Sequence, residues 1–118
     1  MGQVATLLVA GIALLHAWIF VLESFLWKTP RGLRAFGMTP AQAEATAVLA
    51  KNQGVYNLFL AAGLGWSLVA PGPMAFQIKL FFLGCVAVAG LVGAMTVNKR
   101  ILFVQTIPAA LALLFLLA

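Results

Sequence analysis

Gln3-Val-Ala-Thr-Leu-Leu-Val-Ala-Gly-Ile-Ala-Leu-Leu-His-Ala-Trp-Ile-Phe-Val-Leu-Glu-Ser-Phe-Leu26 decides the kind of fold this chain adopts. Between Thr6 and Ser24 only His16 and Glu23 interrupt an apolar run, and a helix needs about 20 such residues to cross a hydrocarbon core. The rest of the sequence repeats the theme. Of 118 residues, 64% are apolar and only 8% charged, against about a quarter charged in ordinary soluble domains. The mean hydropathy is +1.12. Four spans would use most of this length, which leaves no room for a soluble catalytic lobe. Cys85 is alone in an apolar run, so no disulfide framework is expected. No Lys or Arg precedes the first run and no small-residue cleavage pattern follows it, so it reads as a retained helix rather than a removable signal peptide.

Working outward, Lys28-Thr-Pro-Arg-Gly-Leu-Arg-Ala-Phe-Gly-Met38 is the most polar stretch, and Pro30, Gly32 and Gly37 argue against a continuous helix there. It reads as a membrane-surface loop. Thr39-Pro-Ala-Gln42 has the form of a helix start, with Thr39 accepting from an orphan N–H, Pro40 at the first position and Gln42 reaching back. The helix from Pro40 to about Val69 is too long for the hydrocarbon core, so its first turns, with Glu44, should reach into water. Ala70-Pro-Gly-Pro73 ends it, and Asn98-Lys-Arg100 makes a later short reversal. The expected fold is therefore all-α, one integral membrane four-helix bundle over residues 1–118. Its spans lie at about 3–26, 46–69, 74–97 and 101–118, with 27–45 as a loop and helix extension.

Lys28, Arg31, Arg34 and Lys51 flank the first loop and Lys99 and Arg100 the third, whereas only Lys79 lies near the second. Basic residues mark the cytoplasmic side. Loops 1 and 3 are then cytoplasmic, both termini lie outside, and the expected location is a bacterial inner membrane, multi-pass. The net charge of +5 is a topology signal. No soluble basic face exists for nucleic acid.

Polar residues at membrane depth are costly and therefore informative. His16 and Glu23 lie seven apart, within about 20° of one helix face. Asn52, Gln53, Tyr56 and Asn57 cover one face of the second span, and Gln105 sits a turn into the fourth. By depth, Glu23, Gln53 and Gln105 form one layer and His16, Tyr56 and Asn57 a deeper one. This pattern predicts a polar cavity among the first, second and fourth spans, open to the cytoplasm beneath the basic loop 1 with Arg31. A blander reading is also open: the amides fix helix register, Glu23 pairs with Lys28, Arg31 or Lys51, and His16 bonds to Asn57 or Tyr56. Lys79 is expected to snorkel outward. Gly84, Gly90 and Gly93 mark the third span as a close-packing helix, and Pro108 as a tolerated kink. One His and one Cys at different depths make no metal or haem site, and no cofactor is expected.

His16-Ala-Trp-Ile-Phe-Val-Leu-Glu23, Trp27-Lys-Thr-Pro-Arg-Gly32, Leu49-Ala-Lys-Asn-Gln-Gly-Val-Tyr-Asn57 and Gln105-Thr-Ile-Pro-Ala109 together resemble a bacterial family known as domain of unknown function 1304. The likeness covers essentially the whole chain. It implies a small four-span membrane protein and carries no reaction with it.

Three functions fit these residues. The first is binding of an amphipathic small molecule, with enzymatic action on it left open: the tail lies between helices and the head group meets His16, Glu23, Arg31, Asn52, Gln53, Tyr56, Asn57 and Gln105. His16 or Glu23 could then move a proton, though no nucleophile–base pair is evident. Membrane-associated eicosanoid and glutathione enzymes are similar in span count, but their Glu and Arg pattern on the second helix is missing here. The second is a structural or accessory subunit, with spacings such as Ala61 to Gly65 allowing close contact within one chain or in a homo-oligomer. The third is a proton-coupled exporter using Glu23, similar in length and span count to the small multidrug resistance family. The end-of-helix position of Glu23 and the single fixed orientation count against it.

Overall fold

The computed structural model describes residues 2–118, and every regular element in that range is helical. In order these are α1 (Gln3–Ser24), α2 (Pro30–Phe36), α3 (Pro40–Val69), α4 (Gly72–Thr96), a π-helical turn (Leu102–Thr106) and α5 (Ile107–Leu117). The all-α class is as expected. Two helices, α1 and α4, are both long and apolar enough to cross a bilayer, while Leu102–Leu117 is a shorter apolar helix. The 30 residues of α3 span about 45 Å at 1.5 Å each, but Lys51, Asn52, Gln53 and Asn57 interrupt its apolar character.

The loop after α1 holds an element that the sequence reading did not expect. Thr29 caps α2 by accepting from the Gly32 N–H at 3.3 Å, Pro30 occupies its first turn, and Gly37 ends it at φ 62°. Pro30 and Gly37 are thus its start and stop, and Gly32 lies within it. Proline is favoured at the first helical position, and glycine just past the last, where a left-handed backbone is needed. The start of α3 is as expected: the Thr39 N–H donates to Gln42 Oε1 at 2.9 Å and the Gln42 N–H to Thr39 Oγ1 at 3.2 Å. These are the reciprocal bonds of a capping box.

The chain divides into two compact units, one comprising the residues up to Leu14 with Leu60–Ala118, the other Leu15–Phe59. In the first, Val9, Ile12, Leu64, Leu83, Val86, Ala109, Ala112 and Leu116 form the buried core. Gly90 packs against the π-helical turn. A Cβ there would lie 2.8 Å from the Thr106 nitrogen and 2.9 Å from Gln105 Cβ, and the Thr106 hydroxyl donates to the Ala87 carbonyl at 3.1 Å. The wide turn itself follows from Pro108, which has no N–H for the carbonyl four residues back. Ahead of it the bonding shifts to i→i−5, with the Ile107 N–H donating to the Leu102 carbonyl.

Lys79 corrects an expectation. It does not snorkel outward but is 3% exposed, with Nζ donating to the Ser67 carbonyl at 2.7 Å. Ser67 lies in the last turn of α3, where carbonyls have no N–H further along the helix and the helix end carries partial negative charge. A buried ammonium satisfies both. The Ser67 hydroxyl donates in turn to the Leu64 carbonyl at 2.6 Å.

Candidate functional site

The unit Leu15–Phe59 brings the C-terminal half of α1, all of α2 and the first two-thirds of α3 together. The approach of α1 to α3 depends on Gly54. A Cβ at this position would overlap the Ser24 hydroxyl and lie 3.1 Å from the Phe20 carbonyl oxygen and 3.2 Å from Glu23 Cβ. With glycine there, two polar contacts form between the helices. Asn57 Nδ2 donates to Glu23 Oε1 at 2.6 Å in a buried bond, and Ser24 Oγ donates to the Lys51 carbonyl at 3.2 Å. Asn57 Nδ2 also lies 3.2 Å from the Gln53 carbonyl, which fixes the amide with its nitrogen toward the carboxyl group. A third fastening lies at the loop, where Trp27 Nε1 donates to Thr46 Oγ1 at 3.1 Å and that hydroxyl donates to the Gln42 carbonyl at 2.8 Å.

Beside these contacts opens a notch of about 430 Å³. Its apolar wall comes from Phe25, Ala47 and Val48; Trp27 and Thr29 line the loop side. Glu23 and Ser24 contribute buried and half-buried polar surface, and Lys28 and Lys51 contribute exposed ammonium groups. Lys28 Nζ is also 3.3 Å from Glu44 Oε2 in a solvent-exposed ion pair. Such a pair holds the rim loosely, since exposed pairs of this kind are worth about 0–1 kcal/mol. Chemically the notch offers two cations at its mouth, a carboxyl group within and an apolar wall.

The expected site residues separate in this geometry. Glu23 and Asn57 meet directly, across the two layers inferred from depth, because α1 ends at Ser24 and Asn57 sits one turn beyond Gln53 on α3. His16 is fully buried in the same unit and is not part of the notch lining. Asn52, Gln53 and Tyr56 are exposed, Tyr56 at 60% with its ring edge-on to Phe59. Arg31 is exposed, with its guanidinium carbon 5.9 Å from the centre of the Trp18 ring. Gln105 is half-buried in the other unit, beside Gly90. Ser24, Lys28, Lys51 and Gly54 were not singled out for the site. Glu23, Trp27-Lys28 and Lys51 to Asn57 all fall within the stretches that carry the family resemblance, and that was the available signal. Among the described residues, no group of His, Cys, Asp and Glu is arranged to hold a metal ion.

Fold and notch define a class: an all-helical chain with helices of membrane-crossing length and a notch lined by the end of α1, the loop after it and α3. Residues 10–117 match the family described as protein of unknown function (DUF1304), and the chain belongs to that family. It is similar to the uncharacterised protein YpaA of Lactococcus lactis subsp. lactis (strain IL1403), with 32% identity over 105 residues, covering 87% of each chain. No solved structure matches it.

Proposed function

We propose that the chain is a four-span membrane protein of the bacterial inner membrane that binds an amphipathic small molecule at the notch between Glu23 and Lys51. α1, α3, α4 and the helix through α5 serve as the spans. Loops 1 and 3, which carry five of the seven basic residues, with a sixth, Lys51, farther along α3, face the cytoplasm, and both termini face outward. The observation that carries the reading is Glu23. An ionisable side chain 9% exposed near the end of an apolar helix is costly, yet it is held by a dedicated amide and lines an open cavity instead of being sealed off. Apolar walls with a few convergent polar groups are the usual form of a small-molecule site.

One observation favours a purely structural role instead. Among the described residues, no buried side-chain nitrogen or oxygen lacks a hydrogen-bond partner, as expected of polar groups that only fasten helices. The two readings part on extraction. Protein purified in a mild detergent and extracted with organic solvent should yield one amphiphile near equimolar amount, and Glu23→Gln or Lys51→Gln should lower that amount. An empty, equally stable bundle would leave the structural role standing alone. A C-terminal reporter active only outside the cytoplasm tests the orientation separately.

A further inference from the structure

We propose that the amphiphile is a glycerophospholipid whose headgroup carries a primary ammonium beside its phosphate, of the ethanolamine type; this rests on the reading of the notch as an amphiphile site. The charges at the notch point to a headgroup of both signs. The chain has two acidic residues against seven basic ones, and both acids come to this place, Glu23 in the lining and Glu44 paired with Lys28 at 3.3 Å. A headgroup with only negative charge would meet Lys28 and Lys51 favourably but would face Glu23 in the same cavity. A purely cationic one would meet the reverse. Phosphate at the lysines and ammonium at Glu23 leaves neither charge opposed.

The hydrogen-bonding groups narrow the cation further. A carboxyl group offers several lone-pair sites over its two oxygens, and Asn57 engages Oε1, so Oε2 retains capacity for an N–H donor. A primary ammonium supplies three such donors, whereas a quaternary trimethylammonium supplies none and is instead recognised by converging aromatic faces. The two rings lining the notch are each packed against a ring outside it. Phe25 packs edge-on against Phe20 with centroids 5.5 Å apart, and Trp27 packs against Phe36 at 4.8 Å. The exposed Phe25 and Val48 then offer a wall along which an acyl chain can leave toward the bilayer.

Native mass spectrometry of the full-length protein in mild detergent, titrated with dioleoyl phosphatidylethanolamine, phosphatidylglycerol and phosphatidylcholine, tests this. The ethanolamine lipid should be retained about fivefold or more over each of the others, the scale of one charge-assisted hydrogen bond at a wet site. Glu23→Gln should abolish its advantage over the glycerol lipid. Lys51→Gln should weaken retention of both, with helix packing kept, because Ser24 bonds the Lys51 backbone and not its side chain. The wild-type ranking stands as a test even if a variant misfolds. Equal or tighter binding of the glycerol lipid, or equal binding of the choline lipid, would overturn the primary-ammonium assignment while leaving an amphiphile site. Retention of none of the three would remove the amphiphile site as well.

Discussion

Gly54→Ala should destabilise the protein, against the ordinary benefit of alanine in a helix. Alanine gains about 1 kcal/mol over glycine in a helix interior, and at an open position that gain would be kept. At Gly54 the added methyl overlaps the Ser24 hydroxyl and sits 3.1 Å from the Phe20 carbonyl oxygen. The hydroxyl can rotate away only by giving up its bond to the Lys51 carbonyl, worth about 0.6 kcal/mol in a membrane helix pair. The Phe20 carbonyl belongs to backbone and can move only with α1. Overpacking of this kind costs about 1–3 kcal/mol, so with the lost hydrogen bond added and the propensity gain subtracted the expected net loss is about 0.5–2.5 kcal/mol. Gly65, on the same helix with nothing within 4 Å of its would-be Cβ, supplies the control: Gly65→Ala should be neutral or stabilising by up to about 1 kcal/mol. Reversible unfolding by sodium dodecyl sulfate in mixed micelles, followed by tryptophan fluorescence, separates the two variants. If Gly54→Ala proves as stable as Gly65→Ala, α1 and α3 do not approach at Gly54 and the notch beside them loses its frame.

Asn57→Ala removes the donor to Glu23 Oε1 and should cost about 0.6–1.7 kcal/mol in the same unfolding measurement; Asn57→Asp, which sets a second carboxyl group against the first, should cost more. Lys79→Met keeps the buried volume but leaves the Ser67 carbonyl without its donor. The expected loss is about 1 kcal/mol, seen as faster amide exchange confined to the last turn of α3, and an unchanged exchange pattern would refute the capping role. Thr39→Ala breaks one half of the reciprocal cap and should cost about 1 kcal/mol, with local fraying at Gln42 detected by the same exchange experiment.

The apolar stretches of α1 and α4, the capping box at Thr39 and the turns at Ala70–Pro73 and Asn98–Arg100 could be read from composition and local chemistry, because each depends on neighbours in the chain. α2 was hidden by the same chemistry read in the other sense: Pro30 and Gly37 bound a short helix instead of breaking a long one. Lys79 was misplaced because α4 is apolar on nearly every side, so its periodicity does not say which face turns inward or that α3 ends beside it. Glu23 and Asn57 were both singled out by the cost of polarity in an apolar setting. Their pairing was not, since it depends on where the ends of α1 and α3 fall relative to each other. The bond between Ser24 and Lys51 is illegible in the sequence for a related reason: it uses the backbone of one and a common hydroxyl of the other.

The proposed binding role is tested most directly by where a bound amphiphile touches the protein. A photoreactive acyl-chain probe added to the purified full-length chain in mild detergent, followed by peptide mapping of the cross-links, distinguishes a site from general solvation. Binding at the notch requires cross-links concentrated at Phe25 and at Ala47–Val48 and suppressed by unlabelled lipid. Labelling spread over exposed apolar residues such as Leu7, Val88 and Phe103 in proportion to their exposure, and indifferent to competitor, would contradict it.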